Sequence, residues 1–135
     1  MGRKQKEIEE FEFDAKELAK GLGLMRLAFG VFLFLFPRRS ARGWTGERAE
    51  EGVSRLALRG MGARDIAIGT GLLIALDRGA PARGWLEAGA LSDAGDAVAT
   101  LFDGQALSGP RRVFWFVAEV GAALFGGWLA TELDD

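Results

Sequence analysis

The chain contains no cysteine, no histidine and no tyrosine, and only three prolines in 135 residues. Without cysteine there are no disulfides, thiolate nucleophiles or iron–sulfur ligands. Without histidine there is no Ser-His-Asp triad, no imidazole zinc site and no His-ligated haem. No excess of either charge stands out: Lys+Arg is 17 and Asp+Glu is 19, a formal net charge of −2. That balance lacks the basic footprint of a nucleic-acid binder, so nucleic acid is excluded as a partner. A metal would need oxygen ligands alone, and none is expected; nor is any cofactor.

What is present sorts by texture. Residues 1–20 hold five Lys/Arg and six Asp/Glu, including all four lysines of the chain. Ile8, Phe11, Ala15 and Leu18 recur there at helical spacing, which predicts an amphipathic N-terminal arm over 1–17, lying in a membrane interface or packed on the body. Four apolar segments follow, at about 18–36, 57–76, 83–102 and 113–131. Each has the length a helix needs to cross about 30 Å of hydrocarbon. Two short links carry turn signals (Asp77, Gly79 and Pro81; Asp103-Gly104 and Gly109-Pro110). Residues 47–56 are expected to begin the second helix before it enters the apolar layer.

No segment reaches 18 residues without a charge, so a soluble four-helix bundle is the competing reading. A soluble bundle helix needs a polar stripe facing water. Residues 27–36, LAFGVFLFLF, are apolar all round, and residues 113–131 carry one charge, Glu119. Trp85, Trp115 and Trp128 fall near segment ends and Trp44 in the first link, like an interfacial belt. Glycine recurs within the segments (Gly60, Gly62, Gly69, Gly71, Gly89, Gly95, Gly121, Gly126, Gly127), which in water costs about 1 kcal/mol each. In a membrane, small residues allow close helix contact, and Ala118, Ala122, Gly126 and Ala130 form a small-residue ridge. The fold expected is therefore all-α: a four-helix transmembrane bundle spanning 18–135, multi-pass in the cell membrane, with both termini on one side. With four crossings each side carries seven Lys/Arg, so the positive-inside rule favours neither orientation.

Charges inside such segments cost at least about 2.5–3.5 kcal/mol each. At about 1.5 Å rise per residue, six of them converge roughly 12–20 Å from the N-terminal side: Arg26, Arg64, Asp65, Asp93, Asp96 and Glu119. Asp93 and Asp96 share a helix face with Gly89 and Thr100. Arg64 and Asp65 are about 100° apart, so they are expected to find different partners, Arg64 taking Asp93 or Asp96. Two arginines against four carboxylates leave the layer at −2, so a proton, a cation or a cationic ligand is expected there. These six are the candidate ligand or ion layer; the alternative is a polar core whose pairs only fix which helix meets which. No catalytic residue is assigned. Gly60-x-Gly62-x-x-Asp65 mimics part of a dinucleotide fingerprint but has no preceding strand. The basic run Pro37-Arg38-Arg39-Ser40-Ala41-Arg42 is expected at anionic headgroups.

The runs Gly62-Ala63-Arg64-Asp65-Ile66-Ala67-Ile68-Gly69 and Ser92-Asp93-Ala94-Gly95-Asp96-Ala97, with Leu24-x-Arg26 and Pro37-Arg38-Arg39, resemble a family of small bacterial four-helix membrane proteins catalogued as a domain of unknown function. More distantly the chain is similar to the DoxX-like superfamily. The resemblance covers about residues 18–130 and assigns no reaction. It implies a link to membrane oxidoreductase or quinone chemistry. Two functions remain from the residues: a non-enzymatic protein that binds or conducts a small ligand, ion or proton, or a structural or accessory subunit of a homo-oligomer or larger membrane complex. Membrane lipid is a partner in both.

Overall fold

A computed structural model describes residues 2–45, 52–103 and 107–133, the side chains of 9–13, 44 and 45 excepted. Among the described residues there are five helices and no strand: α1 (Gly2–Leu35), α2 (Pro37–Thr45), α3 (Gly52–Asp77), α4 (Arg83–Asp103) and α5 (Gly109–Glu132). All four apolar segments are helical. The fingerprint-like Gly60-x-Gly62-x-x-Asp65 lies inside α3.

The prolines mark where helices begin. Pro37 lacks the N–H that would continue α1 and instead opens α2. Ser40 closes this bend, its Oγ donating to the Phe36 carbonyl at 3.0 Å. α2 buries Pro37, Ser40 and Ala41 and exposes Arg38, Arg39 and Arg42, which makes it a short basic amphipathic helix. α3 ends in a Schellman-type turn. Ala80 N–H bonds to Ala75 O at 2.9 Å and Gly79 N–H to Leu76 O at 3.4 Å, with Gly79 at φ 61°. Pro81 follows, and the Ala82 carbonyl accepts the first bonds of α4. Pro110 sits in the first turn of α5.

The arm departs from expectation. It is not a separate helix: α1 runs unbroken for 34 residues, about 51 Å, and residues 2–8 are exposed. No proline or glycine pair separates arm from segment, so the helix continues. Of the expected stripe, Ala15 is buried, whereas Ile8 and Leu18 are exposed; Phe11 lies among the undescribed side chains. The face that packs is instead Ala15, Ala19, Leu22, Arg26, Gly30 and Leu33. α3 is helical from Gly52, and residues 47–51 lie outside the described residues.

α1 packs antiparallel on α3 through paired glycines. A Cβ on Gly62 would meet the Gly30 carbonyl oxygen at 2.6 Å, and one on Gly69 would meet that of Gly23 at 2.7 Å. Seven-residue spacing on both helices puts the two backbones in contact at two levels. The ridge on α5 is a weaker feature than expected. Only Gly126 and Ala130 of it are buried, and a Cβ on Gly126 would meet Ala90 at an ordinary 3.6 Å. Gly60, Gly95, Gly121 and Gly127 touch nothing that a Cβ would disturb.

α4 pairs with α5 as α1 does with α3, and the two pairs meet more sparingly. One apolar cluster joins them at one end: Ala15, Ala19, Leu22, Leu72, Ala75, Ala82, Leu86, Leu129, Ala130 and Leu133. A second, of Leu33, Ala41 and Leu58, lies toward α2. The level between them is ionic. Two helical stretches, Asp14–Leu35 and Gly109–Glu132, are long and apolar enough to cross a membrane, and only 33% and 17% of their apolar windows are buried. Most of each window is therefore not buried. α3 and α4 carry more charge and do not meet that criterion.

Candidate functional site

Arg26 reaches the centre because α1 presents it between Gly23 and Gly30, where the α1–α3 backbones are closest. Its guanidinium crosses to α4 over Gly89, where a Cβ would lie 3.0 Å from Nε and Nη2. A glycine at 89 therefore clears the path. Arg26 Nη1 donates to Asp65 of α3 at 3.0 Å, and Nη2 donates to Asp93 of α4. All three residues are buried. One forked cation thus ties three helices together.

Arg64 makes the second bridge between the pairs. Its two terminal nitrogens donate to the two oxygens of Asp96 at 3.0 and 2.7 Å. The partner is one of the two carboxylates expected. Asp65, one residue along, turns to Arg26 instead, although Arg64 Nη2 still lies 3.7 Å from it. Five of the six candidate charges therefore form one connected network across α1, α3 and α4.

Glu119 does not join it. Its described hydrogen bond is to Thr100 of α4, whose hydroxyl donates to Oε1 at 3.1 Å. Its Oε2 is buried with no hydrogen-bond partner among the described residues, as is Arg64 Nε. Two charges of α3 and α4 lie outside the layer: Arg59 Nε donates to the Phe34 carbonyl at 3.2 Å and Arg83 Nε donates to Glu87 at 2.7 Å, all exposed.

The chain matches no family model, no curated protein and no solved structure. The resemblance to four-helix membrane proteins rests on the quoted runs alone.

Beside the network lies a cavity of about 580 Å³, to which every helix contributes. α1 supplies Met25, Phe29, Phe32 and Leu33 along with Arg26. α2 supplies Arg39, Ser40 and Gly43, and α3 supplies Met61 and Asp65. Asp93 and Asp96 come from α4, and Trp115, Ala118, Glu119 and Ala122 from α5. The cavity thus runs from the basic helix α2 to the ionic layer, with apolar walls between. Its volume falls in the range of small-molecule sites, about 300–1,000 Å³. Among the described residues no group of three acidic side chains is arranged to hold a metal ion.

The walls and the Thr100–Glu119 bond are absent from the sequence reading. One signal for them exists: Trp115, Ala118, Glu119 and Ala122 are spaced i, i+3, i+4, i+7 and so share a face of α5. The α1 and α2 walls have no such signal, because apolar residues surround α1 on every side.

Proposed function

We propose that this chain is a multi-pass membrane protein of four spanning helices that binds a small ligand in the cavity beside its ionic layer. The membrane reading is supported by the apolar exterior. Leu91, Phe102 and Leu124 are 74, 76 and 71% exposed, among many large apolar side chains left uncovered on α1, α4 and α5, where a soluble monomer keeps its exposed apolar patches small. Charges on α3 and α4 do not oppose crossing, because their ion pairs satisfy them within the bundle.

The observation that carries the binding reading is Glu119. The network uses its arginines on Asp65, Asp93 and Asp96, while Glu119 stands on the cavity wall with one buried oxygen that has no hydrogen-bond partner among the described residues. A site of mostly apolar walls with a few convergent polar groups is the usual form of a ligand pocket. A filled cavity would distinguish this from a packing gap. Ala122→Phe projects a ring into the space. Native mass spectrometry of the full chain released from membranes is expected to show a small-molecule adduct on the wild type that Ala122→Phe lacks. A wild type without adducts, and an Ala122→Phe variant that simply melts higher, would mean an empty space.

A second reading has its own observation. Arg26 and Arg64 hold Asp65, Asp93 and Asp96 in ion pairs between helices, so those five residues need no ligand to explain them. A structural or accessory subunit would contain the same network, and the outward apolar faces of α4 and α5 would then meet a second copy or another membrane protein.

A further inference from the structure

Six charged residues face the cavity, and they are not equivalent. Arg26 of α1 is occupied by Asp65 and Asp93, and Asp96 receives both terminal nitrogens of Arg64. Arg39 of α2 lies at the far rim, its guanidinium 5.8 Å from the centroid of the Phe36 ring. That leaves Glu119, held only by the Thr100 hydroxyl among the described residues. Counting Arg64, the layer holds two cations against four anions; the paired network carries one of the two excess negative charges among five linked groups, and Glu119 carries the other with no cation hydrogen-bonded to it among the described residues.

The surroundings of Glu119 narrow what could answer that charge. An inorganic cation of the hard type takes about six or more oxygen ligands, and a single unpaired carboxylate does not supply them. The remaining walls are aromatic and aliphatic. Trp115 stands one helical turn before Glu119 on the same face of α5, and Phe29 and Phe32 enter from α1. Small residues, Ala118 and Ala122, keep the space between them open. A carboxylate beside an indole, in an apolar chamber, matches an ammonium group on an apolar body: one charge-assisted hydrogen bond and one ring face for the cation, and hydrocarbon contact for the rest. An anion would find its free cation only at Arg39, at the opposite end.

Building on the binding reading above, we infer that the cavity accepts a monovalent organic ammonium with an aromatic or alkyl body, its nitrogen at Glu119 and its apolar part against Trp115, Phe29 and Phe32. The volume of the cavity, about 580 Å³, is that of a small-molecule site.

Three probes of nearly equal shape separate the possibilities: phenethylammonium, phenethyl alcohol and phenylacetate. Each is titrated into the full chain in lipid nanodiscs, with tryptophan fluorescence and thermal melting as readouts. The ammonium is expected to bind saturably and raise the melting temperature, the other two to do so much less. Glu119→Gln should weaken ammonium binding about tenfold or more, the loss expected of a charge-assisted hydrogen bond. Trp115→Phe should remove the fluorescence change and keep the melting shift. Equal binding of ammonium and alcohol, untouched by Glu119→Gln, would overturn the cation and leave the pocket. Preference for phenylacetate would do the same and move the polar anchor to Arg39. Failure of all three to bind would overturn the pocket reading as well. The order of the probes is read on the wild type, so it stands even if the variant does not fold.

Discussion

At the scale of single residues, Arg26 and Glu119 have opposite fates in one layer. Arg26 is 6% exposed and holds two buried carboxylates on different helices. Removing one member of such a group strands the others in a poorly solvated place, which costs about 3–5 kcal/mol. Arg26→Leu should accordingly be among the most destabilising substitutions in the chain by thermal melting in detergent. Arg26→Lys should rescue little, since a single ammonium cannot fork between Asp65 and Asp93. Arg64 is about one-third exposed at its side chain, so Arg64→Leu should cost less than Arg26→Leu but clearly more than Arg78→Leu at the exposed turn. Equal melting for Arg64→Leu and Arg78→Leu would mean that the Asp96 pair is not formed. Glu119→Gln keeps an acceptor for Thr100 and removes a charge that no arginine balances. It is expected to melt at or slightly above the wild-type temperature. A drop as large as that of Arg26→Leu would show that Glu119 belongs to an ionic network after all.

Among the elements, the contact between α1 and α3 is set by backbone rather than by side chains. Gly23 and Gly30 face Gly69 and Gly62, and a methyl group at Gly62 would press on the backbone of α1 at 2.6 and 2.9 Å. Backbone atoms cannot swing aside as a side-chain tip can, so the helices must separate. Overpacking of this kind costs about 1–3 kcal/mol. Gly62→Ala is expected to lower the melting temperature, while Gly60→Ala, two residues away with nothing within 4 Å, should leave it unchanged or raise it. Similar losses at both positions would mean that close approach to α1 is not what sets the cost at Gly62, since glycine to alanine within a helix is by itself stabilising. Both glycines occur in the same apolar stretch of sequence. Their separation into a contact and a free position required knowing which face of α3 meets α1, and α1, apolar on all sides over residues 27–36, carries no mark of the face it offers.

For the whole molecule, the arrangement implies a topology. If α1, α3, α4 and α5 each cross once, the N-terminus and the α3–α4 turn lie on one side, and α2 and the α4–α5 link on the other. Single cysteines at Gly2, Arg38, Ala80 and Ser108 would report this, all four being exposed positions. An impermeant thiol reagent added to sealed vesicles is expected to label positions 2 and 80 together and positions 38 and 108 together. Labelling of 38 and 80 from the same face would remove α3 as a spanning helix. The apolar exterior and the ionic interior are then one design seen from two sides. In such a crossing the uncharged faces of α1 and α5 would meet lipid, while Arg64, Asp65, Asp93 and Asp96 of α3 and α4 turn inward to Arg26 and to each other.

Helix content, the positions of the two short links and the meeting of five charges, Arg26, Arg64, Asp65, Asp93 and Asp96, were determined by the sequence alone. Each follows from quantities that are local or additive: residue periodicity, proline and glycine in the links, and a constant rise per residue. The same arithmetic separated Arg64 from Asp65 around α3. Three matters were decided only by the tertiary structure. α1 absorbed the charged arm, because nothing in residues 2–20 stops a helix; among the described side chains its buried face runs from Ala15. The glycine contact fell on α1 and α3 instead of the small-residue ridge of α5, because two glycines spaced by seven on each helix meet in register when the helices run antiparallel. Glu119 was left out of the network and placed on a cavity wall, because two arginines have a limited number of forked contacts and the other three carboxylates were nearer. Depth along a helix is a property of the chain; which neighbour stands at that depth depends on how the two helix pairs rotate against each other.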